Sequence, residues 1–410
     1  MNLSEKVENL VLPDISVILD ETKTAEQIQS AVQEIAAENW IAKNPFGYSI
    51  LHYDDCVKIL RDKRWHNPTK RTMEMFDLGF EEDGKKVLPL NTVEGDDHVR
   101  LRRLVGPVFT PKQADLYRGL MRQYAEEIIE SLPDHTDLYN EFARIYPIRI
   151  ITEIFGADKE SSKKLDAWAP QIFKIFNSKV REDQESIRQT ALEMKDWFQD
   201  LIDHKRNNPG SDLITTLINA RDEKDYLTTG EIIMLGISIL LAGVDTIRNQ
   251  LSITMALMLQ NSEQWSILLS NPEFYSARAA EESMRHSAAT RGTGRIASQD
   301  IEYNGVMFPE GTLVFPLFST ANRESDKFEN PDVFDIRKEI PEKQHLKFGS
   351  GIHYCLGAHL ARAEMQEALI TLAKHCPNIE LNGQITWRNS TDAIYGPDKI
   401  PVNLNRTSDN

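Results

Sequence analysis

The sequence is poor in cysteine, in basic charge and in long apolar runs. Its three cysteines, Cys56, Cys355 and Cys376, are far apart and odd in number among 410 residues. This excludes a disulfide framework and a Cys-x-x-Cys metal cluster, and a reducing cytoplasm is the expected location. The longest nearly apolar run, residues 232–244, has 13 residues and is too short to cross a bilayer. The N-terminus has no basic segment before an apolar one, so we expect neither a secretory signal nor a membrane anchor.

Acidic residues outnumber basic ones by 63 to 47, which gives a formal net charge of -16. This balance argues against nucleic acid or an anionic membrane as the main partner. Hydrophobic residues at 40% and charged residues at 27% are ordinary values for a globular protein. Disordered, collagen-like and coiled-coil classes are therefore excluded.

Helical periodicity dominates the middle of the chain, from about residue 98 to residue 271. Thr228-Thr-Gly-Glu231 is typical of a capping box. The apolar residues after it, as far as Met258, predict one helix of about 30 residues that runs through the core. A last helix is expected from about Leu356 to His375.

Short β-type runs occupy residues 295–297, 301–303 and 312–315. Residues 67–95 mix proline, glycine, methionine and charge without a clean period, and are predicted to form a long loop. The sequence therefore predicts one mainly α domain with small β-sheets, covering residues 1–410.

The segment Phe348-Gly-Ser-Gly-Ile-His-Tyr-Cys-Leu-Gly357 places a lone cysteine between two glycines, directly before a helical stretch. Glycines allow close approach of the backbone, and the partial positive charge at a helix N-terminus lowers the pKa of a thiol. The pattern predicts that Cys355 is a thiolate able to bind a metal. The alternative is a buried and inert cysteine, which is our interpretation of Cys56 and Cys376.

This segment resembles the heme-binding signature of the cytochromes P450, Phe-x-x-Gly-x-His/Arg-x-Cys-x-Gly. Every fixed position is matched, by Phe348, Gly351, His353, Cys355 and Gly357. The resemblance covers essentially the whole chain, and it implies the P450 fold with heme b (iron protoporphyrin IX) buried between the long central helix and the helix after the cysteine. It also implies that Cys355 is the iron ligand and that Phe348, Gly349, His353 and Gly357 contact the cofactor.

Glu282-Ser-Met-Arg285 resembles the Glu-x-x-Arg motif of the same family. The resemblance implies that both residues join a downstream arginine, Arg323, in a buried ion network behind the heme. We expect a structural role for this network rather than a catalytic one.

Ala242-Gly-Val-Asp-Thr246, within the long helix, resembles the family's oxygen-activating motif. The resemblance implies that the helix opens at Gly243, that Ala242 and Gly243 border the heme, and that Asp245 and Thr246 deliver protons. Two alternatives stay open. Thr246 can bond to the backbone carbonyl four residues earlier, and Asp245 can pair with Arg248 or another cation.

The resemblance further implies that His98, Arg102, Arg295 and His353 bind the two heme propionates, since buried carboxylates must be paired. Candidate pocket residues share an apolar character and positions near the heme, with core packing as the alternative for each: Met75, Phe76, Leu90, Ile239, Ala242, Ala289 and Ile394. Arg291 either anchors a substrate carboxylate or faces solvent.

The implied activity is that of a heme-thiolate monooxygenase. Such an enzyme inserts one atom of O2 into a small-to-medium hydrophobic substrate, for which we prefer a terpenoid or steroid over a fatty acid or polyketide. A separate ferredoxin with its NAD(P)H-dependent reductase is the expected electron source, and the protein is expected to be a monomer. A basic patch for the ferredoxin is predicted on the thiolate side: Arg100, Arg103, Lys112, Lys347 and Arg362. The alternatives are a peroxygenase that uses H2O2 on fatty acids, and a heme-binding protein without turnover.

Overall fold

The computed structural model describes residues 5–19, 23–75, 80–176, 180–220, 226–341, 344–389, 392 and 394–406. Helices form most of this part of the chain. In chain order the α-helices are α1 (Ala25–Ala36), α2 (Tyr53–Arg61), α3 (Thr69–Met75), α4 (Gly95–Val105), α5 (Pro111–Leu116), α6 (Arg118–Ser131), α7 (Tyr146–Phe155), α8 (Ser161–Phe173), α9 (Val180–Asn207), α10 (Leu213–Ile218), α11 (Thr229–Gln260), α12 (Ser262–Ser270), α13 (Pro272–His286), α14 (Phe318–Ala321) and α15 (Ala358–His375).

The strands are short and form five small sheets within the described residues. They are β1 (Glu5–Lys6), β2 (Ile41–Asn44), β3 (Gly47–Ile50), β4 (Trp65–His66), β5 (Phe80–Glu82), β6 (Lys85–Val87), β7 (His135–Asp137), β8 (Arg295–Ala297), β9 (Ile301–Tyr303), β10 (Val306–Phe308), β11 (Leu313–Pro316), β12 (Glu380–Leu381), β13 (Thr386–Trp387), β14 (Pro397–Lys399) and β15 (Pro401–Asn403). The largest sheet has the order β2-β3-β11-β8-β4, with β11 parallel to β3 and antiparallel to β8.

The long central helix is confirmed as α11, which has 32 residues. Both bonds of the predicted capping box form: the Glu231 N–H donates to Thr228 Oγ1 at 3.2 Å, and the Thr228 N–H donates to Glu231 Oε2 at 2.9 Å. Among the described helices, α11 alone is long and apolar enough to cross a membrane, and 67% of its most apolar stretch is buried inside the protein. Helices α7, α8, α9 and α13 pack against it, so α11 is a core helix.

The predicted strands after α13 are confirmed as β8, β9 and β11. Asn304 and Gly305 join β9 to β10 with φ angles of 52° and 77°, as a two-residue type I′ turn requires. Strand β10 has no counterpart among the predicted runs. Apolar side chains from this region and α2 form a second core cluster, separate from the one around α11.

The prediction of one long loop over residues 67–95 is wrong. This stretch contains α3, a β5–β6 hairpin and the first residue of α4. The hairpin is fixed at the start of the central helix, because Glu82 accepts hydrogen bonds from the Gly230 N–H at 2.8 Å and from the Thr228 hydroxyl. Elements of three to seven residues are too short to show a period, and contacts with α11 stabilise them.

The buried ion network forms with a different third cation from the one predicted. Arg285 Nε lies 2.7 Å from Glu282 Oε2, and both side chains are almost fully buried. Lys338 Nζ, rather than Arg323, reaches Glu282, at 3.0 Å from Oε1. Arg323 instead donates to Asp332 at 3.1 Å and to the His286 carbonyl at 2.9 Å. The sequence identifies the pair on one helix face but not the partner that tertiary contacts bring in.

The substitution Glu282→Gln tests the network. It leaves the Arg285 guanidinium buried without an opposing charge, so we expect a loss of about 3–5 kcal/mol in the free energy of unfolding. Urea unfolding of the full-length protein, followed by far-ultraviolet circular dichroism, measures it. Glu329→Gln, at an exposed glutamate, is the control and should change stability by less than about 0.5 kcal/mol. Equal effects of the two substitutions would contradict the role of Glu282.

Candidate active site

The loop that carries Cys355 is held tightly against α2. Gly349 and Gly351 have φ angles of 71° and 75°, a left-handed conformation that favours glycine. A Cβ atom on Gly351 would lie 2.4 Å from the Leu60 carbonyl oxygen, so only glycine fits there. The Cys355 N–H donates to the Phe348 carbonyl at 2.9 Å, which closes the loop. By contrast, nothing lies within 4 Å of a Cβ atom on Gly357, and open space borders the cysteine.

Cys355 lies deep in the protein, but its side chain is accessible. Burial raises the pKa of its thiol, against the opposing effects of the Gly357 N–H and of the charges on Lys347, Arg102 and Arg362. The prediction that the protein alone lowers this pKa is therefore wrong, because desolvation outweighs the helix and the cations. A thiol that is deep but accessible faces an internal space. Coordination to a metal deprotonates such a thiol.

One face of the central helix α11 also borders an internal space. Ala242 is exposed and Thr246 partly exposed, although Val244, Asp245 and Ile247 beside them are buried. Ala242 and Thr246 lie one turn apart and share this face. The Thr246 hydroxyl donates to the Ala242 carbonyl at 2.6 Å, the alternative that the sequence left open. A hydroxyl that donates this bond can still accept one.

The helix is a regular α-helix through Gly243, so the predicted opening is not present. A Cβ atom on Gly243 would point towards α7, where the Ile151 Cδ1 atom lies 4.0 Å away. Gly243 therefore lies where α11 packs against α7, and Ala242 is the small residue on the accessible face of α11.

Asp245 faces a polar cavity on another side of α11. The cavity has a volume of about 380 Å³. Its lining residues are Tyr139, Asn140, Arg144, Pro170, Phe173, Lys174, Asp245, Arg248, Arg388, Asp392 and Ile394. Arg248 lies 3.2 Å from Asp245 and also 3.2 Å from Asp166, so the second open alternative is present as well. Burial raises the pKa of Asp245, with Arg248 and Arg388 acting in the opposite direction.

The four predicted propionate ligands lie near one another. His98 and Arg295 are each 3% exposed, and His98 Nε2 and Arg295 Nε have no hydrogen-bond partner. The His98 and His353 rings lie 4.9 Å apart. Burial lowers the pKa of Arg295 to about 10. Arg102 lies one turn after His98, on which its charge acts, and donates to the Tyr354 carbonyl of the cysteine loop at 2.6 Å.

A carboxylate that the sequence reasoning missed lies among these cations. Glu94 Oε1 is 3.0 Å from His353 Nε2, and this hydrogen bond lowers the pKa of Glu94 although burial acts in the opposite direction. In the sequence, Glu94 could have been identified by its position directly before α4, one helical turn ahead of His98. The cluster therefore already contains one carboxylate, but the unpartnered nitrogen atoms of His98 and Arg295 can still bind further carboxylates.

These residues fit heme b. The group would need an accessible sulfur, buried donors for two carboxylates, and open space beside the cysteine. Cys355, the donors of His98 and Arg295, and the space at Gly357 meet the three needs. Buried cationic donors without acids are costly, and propionates would satisfy them.

The predicted pocket residues fall into different environments. Leu90, Ala289 and Ile394 are buried, and Ile239 is partly buried. Met75 is 60% exposed at the end of α3. Phe76 lies outside the described residues.

Of the predicted basic patch, Arg103 and Lys112 are exposed. Arg100 pairs with Glu231 at the start of α11, and Arg362 pairs with Glu281 at 2.6 Å. Lys347 turns inward and donates to Thr290 Oγ1 at 3.1 Å, and burial lowers its pKa to about 8. Lys347 is therefore not part of an outer surface.

Comparisons with known proteins agree with this site. The family model for cytochrome P450 matches residues 275–383. Cytochrome P450 107B1 of Saccharopolyspora erythraea is 31% identical over 395 residues, which cover 92% of this chain and 93% of that protein. The polyketide biosynthesis cytochrome P450 PksS of Bacillus subtilis is 31% identical and covers 87% of this chain and 89% of its own length. The crystal structure of P450BioI in complex with hexadec-9Z-enoic acid ligated acyl carrier protein has a TM-score of 0.83 at 27% identity, with 92% and 99% of the two chains covered.

Replacement of the thiol tests the site directly. Cys355→Ser should abolish the red-shifted Soret band of the reduced carbon monoxide complex, because that band requires a thiolate opposite the carbon monoxide. The measurement is the difference spectrum of the heme-loaded protein. Cys376→Ser, at a buried cysteine after α15, is the matched control and should keep the band. Retention of the band in Cys355→Ser would exclude Cys355 as the iron ligand.

Proposed function

The chain belongs to the cytochrome P450 family, and we propose that this monooxygenase inserts one atom of O2 into a medium-sized, mainly apolar substrate in the cytoplasm. The observation that carries the proposal is the Asp245 and Thr246 pair, which joins a polar cavity to the accessible face of α11. Heme b, when bound, supplies the oxidising chemistry at its iron. The protein supplies binding, orientation and protons.

Cys355 would hold the iron from one side of the internal space. Two contacts hold its loop in place. The Cys355 N–H donates to the Phe348 carbonyl, and the backbone at Gly351 packs so closely against Leu60 that no side chain fits there. The Gly357 N–H stabilises negative charge on the sulfur. His98, Arg102, Arg295 and His353 would bind the propionates and so fix the orientation of the ring.

Asp245 and Thr246 would move protons. Burial raises the pKa of Asp245, so its carboxyl holds a proton at higher pH than an exposed aspartate does. The polar cavity beside Asp245 is large enough for water, from which the carboxyl can recover its proton. The Thr246 hydroxyl donates to Ala242 and keeps an acceptor position towards the accessible face.

The substrate is inferred from the apolar candidates Leu90, Ala289 and Ile394. The name of the relative PksS favours a polyketide-type molecule. A terpenoid or steroid substrate stays a prediction, made from the small residues Ala288, Ala289 and Thr290 that follow Arg285 in the sequence. We infer a hydrophobic molecule of medium size, with the class left to binding measurements.

Thr246→Ala tests the proton role. Without the hydroxyl, NAD(P)H should still be consumed, but a several-fold larger share of the electrons should leave as H2O2 instead of product. Thr254→Ala is the matched control, since Thr254 lies on the same helix and makes the same bond to the carbonyl four residues earlier, but is buried. Unchanged coupling in Thr246→Ala would contradict the role of Thr246. A peroxygenase, the alternative enzyme, would keep its H2O2-driven activity.

The electron donor is proposed to be an acidic ferredoxin that docks near Arg103 and Lys112. Arg103→Glu should slow reduction of the heme several-fold, and more at low ionic strength, because opposite charges steer association. Stopped-flow reduction by a ferredoxin measures the rate, and substrate affinity should not change. Arg188→Glu, at an exposed arginine of α9, is the control. The same rate for both variants would remove Arg103 from the docking surface.

A further inference from the structure

Arg291 is held in a fixed position between α13 and β8. Its carbonyl accepts hydrogen bonds from the Phe318 N–H at 2.7 Å and the Ser319 N–H at 3.2 Å. Its guanidinium lies over the Tyr395 ring, 4.1 Å from the centroid, and Tyr395 stacks on Trp387 at 5.3 Å with an interplanar angle of 11°. The side chain is therefore oriented by the Tyr395 ring, which Trp387 supports from its other side in the stack.

The guanidinium of Arg291 has no acidic partner. No hydrogen bond or ion pair reaches it from any residue that the structure describes, and its Nη2 atom is buried. Burial lowers its pKa to about 10, so it stays charged at neutral pH. The charge of Asp392 acts on it, but the two side chains form no ion pair. Arg291 as a whole is partly exposed, but its Nη2 atom is buried and does not face solvent.

Two of the three fully buried arginines among the described residues are paired with carboxylates. Arg285 contacts Glu282, and Arg248 contacts Asp245 and Asp166. Arg295 lacks such a partner, and the heme propionates account for it. A buried nitrogen of a charged side chain without a partner is costly, so the Nη2 atom of Arg291 points to a ligand.

The surroundings of Arg291 are those of the candidate pocket. The Tyr395 N–H donates to the Ala289 carbonyl at 3.0 Å, which joins the stacked rings to the segment before Arg291. Ala289 and Ile394 belong to one buried apolar cluster with Ile253, against which Tyr395 packs. The charged guanidinium of Arg291 therefore lies next to an apolar cluster of side chains.

We propose that Arg291 binds a carboxylate of the substrate, which makes the substrate class a hydrophobic carboxylic acid. This inference rests on the proposed function and specifies its substrate. The planar guanidinium matches a carboxylate through two parallel N–H···O bonds, and the stack on Tyr395 orients it before binding. The apolar cluster beside it suits the hydrocarbon part of such a molecule.

Binding of matched acids and esters tests the inference. The probes are decanoic, tetradecanoic and 5β-cholanic acids, each with its methyl ester, added to the full-length heme-loaded protein. Kd is measured by the Soret shift and by equilibrium dialysis, so that binding without a spectral change is also counted. At least one acid should bind tenfold or more tightly than its ester, because the ester lacks the charge.

Arg291→Gln should reduce that preference to within about twofold, while the affinity for the ester stays the same. Arg278→Gln is the matched control, since Arg278 also stacks on an aromatic ring, Phe274, at 4.6 Å, but lies on α13 away from the pocket. It should keep the full preference. The melting temperature without ligand should not fall in Arg291→Gln, because no carboxylate loses its partner.

Three results would overturn the inference: equal binding of acid and ester in every pair, failure of every acid to bind, or a preference that survives in Arg291→Gln. A lower melting temperature with an unchanged preference would likewise assign Arg291 a structural role. NAD(P)H-coupled turnover separates this inference from the proposed function. Acid binding through Arg291 without product contradicts the proposed function alone, whereas equal kcat/KM for acid and ester contradicts the inference alone.

Discussion

The pairing of buried charges is the constraint on which the rest of this structure depends. Arginines packed around α11 and α13 are stable inside the protein only because carboxylates lie next to them. Glu282 lies next to Arg285, and Asp245 and Asp166 lie next to Arg248. The Arg248–Asp166 contact joins α11 to α8, whereas the other two pairs lie within one helix. At His98, Arg295 and Arg291, buried nitrogen atoms have no hydrogen-bond partner, and we propose that the acids of bound ligands would pair with them.

The central helix α11 separates two environments. One face, at Ala242 and Thr246, borders the internal space, and another, at Asp245 and Arg248, borders the polar cavity. Because the helix is regular, residues one position apart in sequence point to different sides. Neighbouring side chains can therefore connect water in the cavity with the space where the chemistry would take place. Burial raises the pKa of Asp245, which favours the protonated form of its carboxyl group.

The motifs with local geometry could be predicted from the sequence. The capping box, α11, the strands after α13, the glycine loop around Cys355 and the Glu282–Arg285 pair depend on residues close in the chain. Predictions that required a partner from elsewhere were less successful. The cation beside Glu282 is Lys338 and not the predicted Arg323, and Lys347 donates to Thr290 inside the protein and does not lie on an outer surface. The pKa of Cys355 moved in the opposite direction to that expected, because desolvation depends on the whole surrounding fold.

The sequence by itself determined the family, the iron ligand candidate and the helix that carries the proton residues, because each is encoded by residue types at fixed short spacings. Tertiary structure alone decided which charges are paired. Glu94 meets His353, and Arg291 meets an aromatic ring instead of an acid, through contacts between segments far apart in the chain. The free energy of a buried charge depends on every group packed around it, and no local pattern of residues contains that information.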